Sequence, residues 1–466
     1  MFARKIAASA VADRAMTGGL PLPQRYWAIA AISLGTLLTI IDGAIANVAL
    51  PVIARDLRID GSSSVLIVTV YNLVLVMALL PFSTLGDRIG LKRLYQMGQV
   101  TFTVATALCF VAHSLPALLA IRALQALGGA AALSVMSALI RITYPSEQLG
   151  RGVGINTILV AVANALAPTA GGAILEVAPW PWIFAAGVPF ALLSLALGWI
   201  GLPDVPSSNL DHRYDTMGAA FCILTFALIF GGMETAVHGG PIIVSAGILC
   251  AGLGLANLLI RHELKEERPI MPIDLLRDPL LATSTAAAFA CFIAMMVLFL
   301  SLPFRLENHY RLSASAVGLM VAAWPMTTMI VGPVVGIASD RLPAGALGAA
   351  GMAVATIALL LLADLPEHIC YVDIAWRMSL CGCGFSVFMV PNTRVIIGSA
   401  PLHRSAAAGG LLSTTRLAGQ TLAASIVATL LALGLGEGPA PVLVACLLGV
   451  VAGILSIARI GHMRRR

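Results

Sequence analysis

The sequence predicts an all-α membrane protein. Fourteen transmembrane helices are expected, arranged as two six-helix halves with two further helices inserted between them. Composition is the first observation behind this. Of 466 residues, 59% are hydrophobic and only 11% charged, and the mean hydropathy is +0.95. Soluble domains carry about 25% charged residues, so there are too few polar side chains to coat a water-facing globule. A soluble enzyme, a disordered chain and a nucleic-acid-binding module are poor readings on that ground. The net charge of +6 does not restore the last of these, because the basic residues lie between apolar runs and at the two ends rather than along one stripe.

The second observation is the run pattern. Apolar runs lie near residues 26–50, 64–82, 95–113, 116–140, 152–175, 182–202, 216–234, 241–260, 280–304, 314–338, 344–363, 370–392, 405–432 and 439–460. Each is close to the ~20 residues that a spanning helix needs. None alternates as a barrel strand would. The third observation is charge placement. The loops on the N-terminal side of the membrane hold 21 of the 28 Lys and Arg, the opposite loops hold four, and Arg122, Arg377 and Arg416 fall inside runs. This asymmetry predicts that both termini are cytoplasmic.

The division into halves follows from an internal echo. Ser83–Arg88 (SerThrLeuGlyAspArg) follows the second run, and 336–341 (GlyIleAlaSerAspArg) follows the tenth. Arg122 precedes Gly128 and Gly129 in the fourth run, and Arg377 precedes Gly382 and Gly384 in the twelfth. Residues 1–25 then form a cytoplasmic tail and not a cleaved signal peptide, since they carry Arg4, Lys5, Arg14 and Arg25 without a sustained apolar core. Residues 26–202 and 280–460 form the two halves, and 203–279 a linker with two extra spans. Residues 461–466 form a basic tail suited to an anionic leaflet. Repeated halves are a common transporter architecture.

Chemistry concentrates in a few intramembrane groups. Asp42 lies about sixteen residues into the first run, where an ionised carboxylate costs about 2.5–3.5 kcal/mol. It reads either as a reversible proton carrier or as a carboxylate locked to a buried Arg. Asn47 can supply amide hydrogen bonds to the same cavity or clasp two helices. Arg122 cannot lose its charge and needs a partner, for which Asp42 and Asp87 are the candidates. Gln125, one turn on, can extend that network. In the segment 83–95, Gly90 suits a tight turn, and Asp87, Arg88 and Lys92 form an ordered charged motif. Pro168 breaks a backbone bond in the fifth run, and Gly171 and Gly172 permit close helix approach.

Other polar groups leave more than one reading. Glu234 can bind cations or simply be solvated at the interface. Asp373 can pair with Arg377 one turn on. Arg416 and Gln420 can line the cavity. Met295, Met296, Met320, Met326 and Met329 with Trp324 can form an adaptable apolar site or plain packing. The eight Cys contain no CxxC pair and read as small packed residues, and Cys381 and Cys383 do not make a metal site. No metal is expected anywhere.

In this order the segments resemble the major facilitator superfamily, and within it the fourteen-helix drug–proton antiporters, over residues 26–460. The family's first-span pattern Asp-x-Thr-x-x-Asn-x-Ala-Leu-Pro matches at Asp42, Asn47, Ala49, Leu50 and Pro51, with Ala44 in place of its Thr. Its cytoplasmic signature matches at Leu85, Asp87, Arg88, Gly90 and Lys92, with Ser83 and Leu91 departing. The fourth-span pattern matches at Arg122 and Gln125, with Ala126 for its Gly. The antiporter signature matches at Pro168, Gly171 and Gly172, with Ala163 and Ala167 for two glycines. Trp180, Pro181, Trp182, Ile183 and Phe184 follow it.

The resemblance implies a major facilitator fold and proton-coupled export by alternating access. Asp42 would bind the proton, and Arg122 would tune it and act in its relay. Asn47, Gln125, Trp324, Met326 and Arg416 would line the substrate cavity. Asp87, Arg88, Gly90, Lys92, Asp340 and Arg341 would form a conformational latch. The coupling ion is the proton, with no other cofactor. Expected partners are small amphipathic compounds, cationic ones above all, and the lipid bilayer, but no nucleic acid. A monomer in the inner (plasma) membrane is expected to suffice. Two other classes stay open. One is a narrow-specificity metabolite exporter or other major facilitator transporter. The other is a membrane sensor or enzyme, against which the lack of an output domain and the scattered His residues argue.

Overall fold

The computed structural model describes residues 19–145, 148–204, 215–266, 269–339, 341–366, 369–399 and 404–463. Among these residues the secondary structure is helical throughout, with no strand. In chain order the helices are α1 (Gln24–Leu57), α2 (Gly61–Ile89), α3 (Leu91–Leu108), α4 (Leu115–Ser134), α5 (Met136–Thr143), α6 (Leu149–Val177), α7 (Trp182–Ala185) and α8 (Val188–Gly201). Then follow α9 (Thr216–Val237), α10 (Ile242–Glu263), α11 (Pro279–Phe304), α12 (Ala314–Ala338), α13 (Ala344–Ala363), α14 (Tyr371–Ser399), α15 (Ser405–Ala432) and α16 (Ala440–Met463). Thirteen helical stretches among the described residues are long and apolar enough to cross a membrane. The run expected at 152–175 is α6, a helix of 29 residues with Pro168 inside it.

Two runs are broken rather than continuous. The fourth is interrupted at Val135 between α4 and α5, and the sixth at Ala186 and Gly187 between α7 and α8. The connection from α2 to α3 is a single residue, Gly90, at φ +101°, a conformation that glycine alone adopts at little cost. On the other side of the bundle, α2 starts at Asp60, whose side chain accepts from Ser63 N at 3.1 Å and from the hydroxyls of Ser62 and Ser63. Partial burial pushes the Asp60 carboxyl up, but these hydrogen bonds outweigh it and hold the group at about 2.

The bundle has a basic end, where Gly90 and the Arg- and Lys-rich connections lie, and a far end. Packing differs between them. At the far end one continuous apolar core joins Ile45, Leu50 and Ile53 of α1 to Val65 and Val68 of α2. The same core takes in Val297–Leu302 of α11, Val321 of α12 and Val427 of α15. At the basic end the cores are separate. Leu20, Leu94, Leu139 and Tyr144 pack with one another, while Leu281, Ile396 and Leu411 form a different cluster. The helices before Gly201 and those after Pro279 therefore meet at the far end and part toward the basic end. Two lateral seams also hold them together, α2 against α15 and α6 against α12. The inserted helices α9 and α10 pack on each other, and α9 leans on both α2 and α15, covering that seam.

Three basic residues or segments sit differently from the loop positions that the sequence suggested. Arg459 is fully buried in α16 and donates to Ser284 Oγ at 3.3 Å, to Asn392 Oδ1 and to Ala344 O at 2.9 Å. Arg305 continues α11 into a wider π turn and donates to Leu362 O at 2.8 Å and Ala363 O at 3.2 Å. It thereby satisfies carbonyls that the end of α13 leaves open. Within the expected N-terminal tail, Leu20 is buried and its N–H donates to Thr143 O at 3.2 Å, so this part is docked. The terminal residues 464–466 lie outside the described residues.

Candidate functional site

The most polar buried cluster forms where α1, α2 and α4 meet. Asp42 is 7% exposed, and Arg122 and Gln125 are fully buried. Arg122 Nη1 donates to Asp42 Oδ2 at 2.7 Å and to Gln125 Oε1 at 2.6 Å. Gln125 Nε2 donates to Asp42 Oδ1 at 2.8 Å and to Thr106 Oγ1 at 2.8 Å. The three side chains form a closed triangle in which each touches the other two. Asp42, rather than Asp87, is thus the partner of Arg122.

The rest of the guanidinium is held by rings. Nε and Nη2 of Arg122 are buried without a hydrogen bond. The guanidinium carbon lies 4.2 Å from the Tyr71 ring centroid and 4.9 Å from that of Phe184, within cation–π range. Tyr71 OH donates to Thr39 O at 3.3 Å. Neither Tyr71 nor Thr106 was singled out in the sequence. Both are polar residues inside apolar runs and resemble ordinary packing until the fold brings them to Arg122. The chemical capacity of the arrangement is clear. A proton on Asp42 cancels the one charge that faces Arg122, leaving a buried cation with rings and one amide.

Pro168, Gly171 and Gly172 occupy the second seam. A Cβ on Gly172 would come within 2.8 Å of Ala314 O and Ser315 Cα at the start of α12. A Cβ on Gly318 would overlap Pro168 O, and one on Gly171 would press on Ile45 of α1. These small residues let α6 lie directly on α12 and α1.

The remaining expected positions are scattered. Asn47 is 7% exposed, and its Oδ1 is buried without a partner. Trp324 is buried in the shared core between Phe299 and Phe385, at centroid distances of 5.2 and 5.7 Å. Met326 is exposed, so the two do not share one surface, as a spacing of two residues on a helix requires. Met296 and Met320 belong to the core, whereas Met329 is exposed, so the methionines do not converge on one site. Arg416 is half-buried in α15, and its Nε is buried without a hydrogen bond.

Asp87 and Arg88 are exposed at the basic end, and Lys92 pairs with Asp204 at 3.5 Å. Arg341 is exposed, and Asp340 lies outside the described residues. Glu234 departs from the interfacial solvation suggested by its position. Its side chain is 15% exposed, Oε1 accepts from Ser425 Oγ at 2.7 Å, and His238 lies 3.7 Å away. It ties α9 to α15. Asp373 does pair with Arg377, at 3.7 Å.

A contact that the sequence did not suggest closes the far end. Arg55 Nη2, at the end of α1, pairs with Glu307 Oε2 at 2.7 Å, and the Glu307 side chain is 1% exposed. Beyond it lies a cavity of about 840 Å³ lined by Arg55, Asp60, His238 and Glu437 among others. Only the spatial meeting of two helix ends 252 residues apart could have revealed this pair.

Residues 32–424 match the model of the Major Facilitator Superfamily. The chain belongs to this superfamily. It is a transporter and not an enzyme. It is 40% identical over 449 residues to the uncharacterized transporter YebQ of Escherichia coli, covering 96% of this chain and 98% of that one. It is 28% identical over 399 residues to the riboflavin transporter RibZ of Clostridioides difficile, covering 85% and 86%. It is also 28% identical over 405 residues to the multidrug resistance protein Stp of Mycobacterium tuberculosis, covering 86% and 75%. Among solved structures, a bacterial homologue of the human lysosomal transporter Spinster, inward-facing and unoccupied, superimposes with a TM-score of 0.70. That match has 16% identity over 94% of this chain and 98% of that chain, a likeness of fold alone.

Proposed function

We propose that this transporter is a proton-coupled exporter of amphipathic, mainly cationic compounds, working by alternating access across the inner membrane as a monomer. The observation that carries the reading is the closed triangle of Asp42, Arg122 and Gln125, the one place among the described residues of the first six spans where a carboxylate and a guanidinium are both withdrawn from water. Drug-resistance relatives such as Stp support the substrate class. The charge asymmetry of the loops supports a cytoplasmic basic end, in which case the described conformation, shut at the far end and parted at the basic end, is open to the cytoplasm.

The cycle follows from those parts. With the cytoplasmic side open, an unprotonated Asp42 holds Arg122 and the compound enters. Loading of a proton from the outside, in the opposite conformation, breaks the ion pair and releases the constraint on α1 and α4. Return and deprotonation restore it. One proton charge moving inward supplies about 2.3 kcal/mol per 100 mV, plus the pH-gradient contribution. A latch of Asp87, Arg88, Gly90 and Lys92 with Asp340 and Arg341 would then hold the cytoplasmic side when it closes. The substrate cavity would be lined by Asn47, Gln125 and Arg416.

The test is transport into proteoliposomes under an imposed pH gradient, with amphipathic cations and neutral planar compounds as cargo. Uphill accumulation of several unrelated cations is expected for the native protein. Asp42→Asn is expected to exchange substrate but not to concentrate it. Uphill transport by that variant at the native rate would rule out Asp42 as the coupling group. The relationship to RibZ favours a narrower second reading, which holds if only one planar, uncharged solute is moved.

A further inference from the structure

The inserted helices α9 and α10 carry a second cluster at their basic ends, unrelated to Asp42. Asp215 caps α9, its Oδ1 accepting from Gly218 N at 2.8 Å. His262, in the last turn of α10, places Nε2 at 2.9 Å from Asp215 Oδ2. Glu266 follows just beyond the end of α10, and one ligand atom from each of these three residues lies within 4.8 Å of the others.

Two independent features point into the same place. Glu263 is 2% exposed, and its Oε2 accepts from Met271 N at 3.2 Å, while its Oε1 is buried with no hydrogen-bond partner. That orphaned oxygen lies 3.0 Å from the point where a Cβ on Gly218 would sit, a point that Asp215 Oδ2 also crowds. The missing side chain of Gly218 leaves room in which these oxygens converge. Among the described residues no Lys or Arg lies within ion-pairing distance of the four groups. A buried carboxylate oxygen left unpaired is costly, and a cation of small radius would resolve the cost.

We propose that Asp215, His262 and Glu266 form a divalent transition-metal site, with the orphaned Glu263 Oε1 beside it, that closes the basic end of the inserted helix pair. One imidazole nitrogen with carboxylate oxygens suits Zn²⁺ or Mn²⁺ better than Ca²⁺ or Mg²⁺, which prefer all-oxygen shells. The ion ties the start of α9 to the end of α10. Through the Glu263–Met271 bond it also fixes the segment leading to α11. The sequence gives no hint of this, because Asp215 and His262 are 47 residues apart and no ligand motif joins them.

The experiment uses the full-length, tag-free protein in detergent, stripped with chelator, and titrated with Zn²⁺ against a chromogenic competitor and with Mn²⁺ followed by electron paramagnetic resonance. One equivalent per chain is expected. Affinity should fall at least tenfold in His262→Ala and in Glu266→Gln. The second of these alters an exposed side chain and leaves folding intact. Gly218→Ala, which fills the convergence point, should weaken binding as strongly. X-ray absorption of the bound zinc should show one imidazole, oxygens and no sulfur. Absence of binding, unchanged affinity in Glu266→Gln, or a sulfur ligand would each overturn the assignment.

Discussion

The clasp between Arg55 and Glu307 offers the sharpest energetic test of the transport cycle. Glu307 is almost wholly buried, whereas the Arg55 side chain is 59% exposed. The two ends of the pair therefore respond differently to removal. Glu307→Gln deletes the charge but keeps an acceptor in place. A charged hydrogen bond contributes about 1.5–3 kcal/mol, and the exposure of Arg55 puts the loss near the lower limit. Arg55→Ala leaves a buried carboxylate without its cation, a change that costs about 3–5 kcal/mol for a fully buried pair and less here. Both penalties fall on the conformation closed at the far end, since opening exposes both groups to water. Each 1.4 kcal/mol changes the ratio of conformations tenfold. Glu307→Gln is expected to raise the open-to-closed ratio about tenfold, and Arg55→Ala by more. The double variant should resemble Glu307→Gln, because it leaves no unpaired buried charge. Spin labels at Ser63 and Leu433, in a background lacking the eight native cysteines, would report the ratio by pulsed dipolar spectroscopy. If Arg55→Ala shifts it no further than Glu307→Gln, the argument from buried unpaired charge is wrong.

Other outcomes follow from the same structure. Asp87→Asn is expected to slow turnover several-fold while leaving substrate affinity unchanged, since a latch biases conformation without touching cargo; parallel loss of binding and turnover in equilibrium-binding and flux assays would contradict this. Gly128→Ala and Gly384→Ala are each expected to cost about 1–3 kcal/mol of stability by thermal unfolding. A Cβ on Gly128 would lie 2.7 Å from Gly98 O, and one on Gly384 2.5 Å from Ala355 N. Asp60→Asn should lower the melting temperature at neutral pH. The folded-state value of Asp60 is depressed to about 2, so its stabilisation is present above about pH 4 and fades as the pH falls toward 2. Melting curves of native and variant protein that fail to converge on acidification would refute that linkage.

What could be read from the sequence divides along a physical line. The spans were legible because hydrocarbon forces long apolar helices on any chain that crosses it. Asp42, Arg122 and Gln125 were legible because polar groups are rare at that depth, so a carboxylate and a guanidinium in one membrane have few partners to choose from. Tyr71, Phe184 and Thr106 complete the same cluster and were invisible, since rings and hydroxyls are ordinary within membrane helices. Arg305 and Arg459 were misplaced in loops because charge near a span end cannot be told from charge folded back beneath it. Arg55 with Glu307, and Glu263 with Asp215, depended on contacts between segments far apart in sequence, and their motifs signal neither.

The arrangement on α1 shows why the proton site and the far-end clasp belong to one device. Asp42 ties the middle of α1 to α4 through Arg122 and Gln125, and Arg55 ties its end to the extension of α11 through Glu307. Thirteen residues of helix separate them, about 20 Å at 1.5 Å per residue. Pro51 lies between, where it removes a backbone hydrogen bond and lets the helix bend. Gly171 lies against Ile45 from α6 on the same stretch, so the Pro168–Gly172 segment touches α1 between its two charged anchors. No long-range pathway is needed for a charge change at Asp42 to be felt at Arg55, because a single helix carries both groups and the α6 contact sets its position. In the proposed cycle, proton loading at Asp42 while the far side is open and its release while the Arg55–Glu307 clasp is closed therefore act on opposite ends of one lever.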